Sequence, residues 1–261
     1  MHASIAATLI ALFLSMEKSA AQHLEALVRI DLHSWKADPA GQPVETTRST
    51  LGRCVFGPSS AWCIEGDFAR NARSSLWSTG SNIVRHSVIT SESPQIREEG
   101  SPFFPAHVGQ RFTTVLWPTT RWRLHGVPHV LWLALCSGEF LQAEGRRIPA
   151  PFSDVEERSG YRDETESFDD PLGLPKELRV FERESELLCY YKVTQSTNLA
   201  GFTVPLEFVL EEYRGDPGEK PRLYARASGV VVSLQRASRP EVPQEVMRYS
   251  GVAGRAVDPG R

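Results

Sequence analysis

The clearest hydrophobic pattern in the chain is an alternation over residues 202–211. Apolar side chains occupy every second position there, and polar residues stand at several positions between them: Phe202, Val204, Leu206, Phe208 and Leu210 against Thr203, Glu207 and Glu211. A period of two places successive side chains on opposite faces of a strand, so this segment predicts a β-strand with one buried face. Pro205 has no amide hydrogen to donate, which predicts an edge position or a bulge there.

Neighbouring segments continue this pattern. Glu186–Thr194 alternates in the same way, and Leu223–Arg236 predicts a further strand. Turn-forming residues at Asn198–Gly201 and Gly215–Gly218 separate the three segments. Long strands joined by short turns predict an antiparallel meander in the second half of the chain.

The first half also predicts strands. Leu24–Trp35 alternates loosely, and Ser74–Thr90 contains two strand-like runs separated by Gly80-Ser81-Asn82. Between them, Leu51–Phe56 and Ala61–Glu65 flank the turn signal Gly57-Pro58-Ser59-Ser60, which predicts a hairpin.

This hairpin bears on the four cysteines of the chain. Folding it at the turn pairs Cys54 with Cys63, and directly opposed residues have Cβ atoms close enough for a disulfide. We therefore predict a Cys54–Cys63 disulfide; the alternative is two small apolar side chains in the core. The pairing of Cys136 and Cys189 stays open. No two cysteines have zinc-site spacing, so no metal and no cofactor are predicted.

One segment favours a helix. Val127–Ala143 begins with Pro128, which suits a first helical turn, and carries apolar residues at helical spacing: Trp132, Leu135, Cys136 and Phe140. Gly138 weakens this interpretation, and a strand over Val130–Cys136 is the alternative. We expect the helix to be amphipathic.

The N-terminus predicts export. An apolar run from Ser4 to Met16 ends in Ser19-Ala20-Ala21, which fits a signal peptide cleaved after Ala21 and a periplasmic or extracellular protein. No Lys or Arg precedes the run, so an uncleaved anchor or a misplaced start codon is the alternative. The mature part contains no apolar segment long enough to span a bilayer.

Charge and composition bound the remaining organisation. The net charge is −3, which gives no electrostatic drive towards nucleic acid. Residues 22–236 predict a single β-rich domain, with the acidic run Asp154–Asp170 as a solvated loop. Residues 237–261 are rich in Pro, Gly and Arg, which predicts a disordered tail.

Three groups of residues are candidate chemical sites. His125 and His129 stand four apart, but Gly126 and Pro128 disfavour the helix that would let them share a metal. Cys136 or Ser137 with a histidine would make a hydrolase, for which no motif is present. An aromatic and basic cluster could bind protein or glycan at an exposed surface: Trp117, Arg121, Trp122 and Arg123.

The layout resembles a known family. An export signal, a β-hairpin, strand pairs, a single helix and the meander from Cys189–Val193 to Phe202–Phe208 are similar in arrangement to the lipoprotein-carrier proteins of the bacterial envelope and their relatives. The resemblance implies an unclosed β-barrel whose helices cover an apolar concavity. No functional residue transfers position by position.

These patterns predict a mainly β (α+β) fold, a curved antiparallel sheet or half-barrel covered by one or a few helices. A single helix leaves part of the apolar face open, so we expect a groove with Phe202, Val204, Leu206 and Phe208 as its floor and Trp132 and Phe140 on its lid. The expected function is non-enzymatic binding of a lipid or lipidated protein partner. An interaction module is the alternative, and a hydrolase is a distant third.

Overall fold

The computed structural model describes residues 23–37, 43–58, 62–69, 72–78, 83–89, 109–115, 127–138, 161–182, 186–215 and 220–250. The predicted leader, residues 1–21, lies outside these ranges, as do residues 154–160 of the acidic run and residues 251–261 of the predicted tail.

Eleven strands form one antiparallel sheet in the order β6-β5-β4-β3-β2-β1-β11-β10-β9-β8-β7. The first six strands step outwards from the centre to one edge, and the last five return from the other edge. The edge strands β6 and β7 are not neighbours, so the sheet is not closed into a barrel. This confirms the mainly β, open-sheet prediction. The strands are β1 His23–Ala37, β2 Pro43–Phe56, β3 Cys63–Ala69, β4 Ala72–Ser78, β5 Ile83–Ile89, β6 Gly109–Val115, β7 Tyr161–Ser167, β8 Pro175–Glu182, β9 Glu186–Leu199, β10 Phe202–Arg214 and β11 Arg222–Ala237.

One face of the sheet is apolar and buried. On the central strand β1, four alternate side chains are fully buried, and the residues between them are more exposed: Leu24, Ala26, Val28 and Ile30 against Glu25, Leu27 and Arg29. We call the face that carries the first set the inner face and the opposite one the outer face. The inner face of β8, β9 and β10 continues the same core.

The interruption at Pro205 is a bulge. The register of β10 against β9 shifts between Pro205 and Glu207 and again between Glu207 and Phe208. The first shift skips Leu206 on β10 and the second skips Thr194 on β9. Because each strand contributes one extra residue, the alternation is restored and Phe208 faces inwards again. The bulge alternative is therefore confirmed, whereas β10 is not an edge strand.

Helix α1, Val127–Cys136, confirms the helical prediction over its described length. It follows β6 and precedes β7 in the chain, and it packs against β1, β2, β3 and β10. Every described side chain from Val130 to Ser137 is buried. The expected amphipathic helix is thus wrong in one respect, because α1 has no described polar face. Phe140 lies outside the described residues.

The predicted Cys54–Cys63 disulfide is absent, and all four cysteines are free. In the β2–β3 pair, Cys54 lies opposite Ile64 and Cys63 lies opposite Val55, one residue away from the predicted register. A shift of one residue moves a side chain to the other face of the sheet. Cys54 accordingly joins the inner core, whereas Cys63 does not belong to it and lines a cavity on the outer face.

Two segments are more ordered than the sequence suggests. The second half of the predicted acidic loop is strand β7, whose exposed Glu164 and Glu166 lie at a sheet edge, where charge opposes pairing with another chain. The start of the predicted disordered tail forms helix α2, Gln244–Ser250. Its Val246 is fully buried against Val84 on the outer face, which supplies an apolar anchor that composition alone does not reveal.

Candidate binding face

The inner face holds the residues expected to bind a ligand. Phe202, Val204, Phe208 and Trp132 are all buried within the single core that joins the sheet to helix α1, and Leu206 is half-buried at the bulge. None of the cavities described in these parts of the chain is lined by them. In this conformation α1 occupies the space where an open groove was expected.

Two glycines allow side chains of the helix and of β10 to approach the sheet backbone closely. A Cβ atom on Gly52 of β2 would lie 2.3 Å from Cδ1 of Leu131 on α1. A Cβ atom on Gly229 of β11 would lie 2.1 Å from Cζ of Phe208. Real Cβ contacts are much longer than this, so the ring of Phe208 requires the glycine at position 229, whereas at Gly52 only the flexible end of Leu131 would have to move.

A hydrogen-bonded loop lies against the end of helix α1. Asp170 accepts hydrogen bonds at Oδ1 from the amides of Leu172 (2.8 Å) and Gly173 (3.2 Å), and at Oδ2 from the amide of Thr203 (2.7 Å). These bonds fix the β7–β8 loop to the start of β10. The carbonyl oxygen of Leu172 then lies 1.6 Å from where a Cβ atom on Gly138 would stand, directly after the helix.

The inner face is apolar along most of β10 and becomes polar towards the end of that strand. Tyr191 of β9 is fully buried opposite Leu210, and the next inward positions are Cys189 and Glu212, which pair with each other. Glu212 is buried and accepts a hydrogen bond of 2.8 Å from Nε of Arg214. The alternation of β9 predicts that Tyr191 faces inwards, but no motif in the sequence marks these polar residues as part of a site.

The residues weighed as nucleophiles are not arranged for catalysis. Ser137 is fully buried, and its hydroxyl donates to the carbonyl oxygen of Leu133 at 2.5 Å. Burial raises the pKa of the Cys136 thiol well above its ordinary value, which keeps it protonated and unreactive near neutral pH. Neither side chain is therefore an activated nucleophile. His125 lies outside the described residues.

The outer face carries a polar network beside its small apolar cluster. Arg53 donates to Glu25 (2.8 and 3.2 Å) and to Glu65 (2.7 Å), so one guanidinium joins β1, β2 and β3. These hydrogen bonds lower the pKa of Glu25 and raise that of Arg53. On β10, burial and a hydrogen bond to Glu211 raise the pKa of Tyr213 to about 12.

Two cavities lie beside Arg53 on this outer face. The larger, of about 400 Å³, is lined by ion-paired side chains and a few apolar ones, among them Leu27, Leu51, Glu65 and Arg73. The smaller, of about 340 Å³, lies beneath residues 237–241 and includes Cys63 and Trp77. The charges around the larger cavity already have partners in the sheet, since Arg53 pairs with Glu65 and Arg73 with Asp67.

Several expected sites fall elsewhere. Trp117, Arg121, Trp122 and Arg123 all lie outside the described residues. Within the described ranges, no group of three or more potential metal ligands comes together. Neither helix described here is long and apolar enough to cross a membrane.

Comparison with known proteins gives similarities of architecture only. No protein-family model matches the chain. No curated protein matches it either.

Three solved structures resemble it in arrangement. A LolA-superfamily protein from Nitrosomonas europaea has 9% identity and a TM-score of 0.40, over 86% of this chain and 89% of that one. A DUF1329-family protein from Desulfovibrio piger has 8% identity and a TM-score of 0.41, over 86% and 90%. A domain from Vibrio parahaemolyticus described as an outer membrane lipoprotein-sorting protein has 9% identity and a TM-score of 0.38, over 88% and 93%. The architectural resemblance drawn from the sequence pattern is thus found, and at this level of similarity it carries no functional argument.

Proposed function

We propose that the protein is an exported, non-enzymatic envelope protein that binds an apolar ligand or a lipidated partner on the inner face of its sheet. Helix α1 is the observation that carries this proposal. Its described side chains from Val130 to Cys136 are apolar and buried, and the helix packs on β1, β2, β3 and β10 of a sheet that does not close on itself. Export rests on the predicted leader, residues 1–21.

Helix α1 is suited to exchange with a ligand. Its contacts with the sheet are side-chain packing, so the helix can leave without breaking a strand ladder. A bound acyl chain would cover the apolar side chains of the sheet that the helix leaves. In the bound state Phe202, Val204, Leu206 and Phe208 form the floor, and Trp132 lies on the displaced helix.

The first test is native mass spectrometry of the purified mature protein, before and after organic extraction. A co-purifying lipid or acyl species that is lost on extraction supports the proposal and gives the ligand class. A protein of bare mass, which also fails to bind any added acyl lipid, contradicts it.

A pair of variants tests whether the helix competes with the ligand. Leu131→Ala weakens the packing of α1 against Gly52, so the helix is displaced more easily and the affinity for an acyl lipid rises several-fold. Leu51→Ala, on the outer face, is the matched control and leaves the affinity unchanged. Circular dichroism verifies that both variants are folded. Equal affinity in all three proteins means that α1 does not occupy the binding site.

A further inference from the structure

The inner face contains one fully buried tyrosine, Tyr191. The ring of Tyr191 packs against Phe208, with centroids 5.9 Å apart, and its direct strand neighbours are Leu178 and Leu210. Within the part of the chain that the structure describes, its hydroxyl has no hydrogen-bond partner. Burial raises the pKa of Tyr191, so the hydroxyl keeps its proton and remains a donor.

A buried hydroxyl without a partner destabilises the free protein, because its bonds to water are lost and nothing replaces them. Phenylalanine would fill the same space without that cost. A tyrosine at this position is therefore explained best by an acceptor that is present only in another state of the protein.

The surroundings of Tyr191 indicate how such a ligand lies. One inward position further along β9 and β10, Glu212 forms its ion pair with Arg214, whose guanidinium stacks 3.5 Å above the ring of Tyr224. The side chain of Arg214 is half-exposed. Along β9 and β10 the inner face is thus first apolar, then presents the hydroxyl of Tyr191, and ends at the Glu212–Arg214 ion pair, whose arginine reaches solvent.

We propose that the Tyr191 hydroxyl donates to the ester carbonyl of a neutral acyl lipid, whose acyl chain lies along the inner face and whose polar head points towards Glu212 and Arg214. This inference rests on the proposed function. The head group is uncharged because the ion pair has no net charge to offer, and the carboxylate of a free fatty acid would lie beside that of Glu212.

The test uses the full mature chain and two lipids that differ in one oxygen: 1-monolauroylglycerol and its ether analogue, 1-dodecylglycerol. By isothermal titration, the wild type binds the ester about fivefold to tenfold more tightly than the ether, because only the ester offers a carbonyl acceptor. Tyr191→Phe loses this preference while binding the ether as the wild type does. Its thermal midpoint is equal to or higher than that of the wild type.

The outcomes separate the two proposals. If the wild type binds neither lipid and no lipid co-purifies with it, the proposed function fails. If it binds neither although a lipid co-purifies, the function stands and the inference about Tyr191 is wrong. If the wild type and Tyr191→Phe bind both lipids and show the same preference, the function stands and the role of Tyr191 is wrong. A lower thermal midpoint for Tyr191→Phe means that the hydroxyl already has a partner in the free protein, which also overturns the inference.

Discussion

The two faces of this sheet use the same strands in opposite ways. On β1, Leu24, Ala26, Val28 and Ile30 join one apolar core with helix α1, whereas Glu25 on the other face joins a salt-bridge network with Arg53. Burial of apolar area stabilises strongly and without direction, whereas exposed ion pairs contribute little. Most of the stability should therefore lie on the inner face.

This difference also bears on the proposed function. A face that is apolar across many strands must be covered, and here a helix covers it that is not part of the sheet. The outer face is largely polar, and its small apolar cluster around Val84 and Val246 is covered by the short helix α2. A ligand that competes for the inner face must displace α1, whereas the outer face can change with little effect on binding.

The largest contrast between the faces is expected from truncating large side chains. Trp132→Ala removes a fully buried ring from the inner core and lowers the free energy of unfolding by about 3–5 kcal/mol. Leu51→Ala, at an exposed outer position, changes it by less than about 0.5 kcal/mol. Urea denaturation of both variants measures the difference. Similar losses for the two would mean that α1 is not packed against the inner face.

Adding one methyl group gives a smaller and graded effect. Gly138→Ala places Cβ against the backbone oxygen of Leu172, which cannot rotate away, so we expect a loss of about 2–3 kcal/mol. Gly52→Ala meets only the flexible end of Leu131 and costs about 1 kcal/mol. Ser49→Ala, exposed on the outer face, is the control. The prediction is wrong if Gly138→Ala is as stable as the wild type in thermal unfolding.

The outer network should be weak and dependent on pH. Arg53→Gln lowers stability by about 0.5–1 kcal/mol at pH 7, since Arg53 and Glu25 are both partly exposed. The pKa of Glu25 is lowered in the folded protein, so its contribution is complete above the unfolded pKa and is lost as the pH falls through the folded value. The difference between variant and wild type therefore shrinks on acidification.

Urea denaturation at pH 7 and at about pH 3 measures this change. Arg73→Gln, in a more exposed ion pair with Asp67, is the control and has almost no effect at either pH. A deficit for Arg53→Gln that grows on acidification would contradict the assigned ion pair.

The smallest expected effect is kinetic. Burial raises the pKa of all four thiols, so each reacts slowly with iodoacetamide in the folded state. Cys63 lines an outer cavity and should react before Cys54, which lies in the inner core. Mass spectrometry over time gives the order, and unfolding in guanidinium exposes all four. A mass two hydrogens lower, with two thiols blocked, would indicate a disulfide instead.

Local patterning predicts much of the sheet. The alternation of Phe202, Val204 and Phe208 identifies the buried face of β10, because it depends on one strand alone. The missing amide hydrogen of Pro205 predicts an interruption of the ladder, but only the pairing with β9 and β11 shows that it is a bulge and not an edge. The same holds for β9, where Cys189, Tyr191 and Val193 are buried as the alternation predicts.

Properties that depend on two segments are decided by the tertiary structure. The turn before Cys63 sets the hairpin but not its register, and one residue of shift separates two thiols that the sequence brings together. Composition marks Glu164 and Glu166 as polar, but only pairing with β8 makes their segment a strand. Likewise, the sequence shows Val246 only as an apolar residue in a mostly polar tail. Its burial depends on contact with Val84 on the outer face, which only the tertiary structure provides.

The sequence by itself therefore determines which residues avoid water, because that preference belongs to each side chain and to the period of its strand. Only the tertiary structure decides what covers them. Helix α1 fills the inner face because Gly52 lets Leu131 approach β2 and because the loop held by Asp170 meets Gly138 at the helix end. These close contacts join residues far apart in the chain, and no local pattern encodes them.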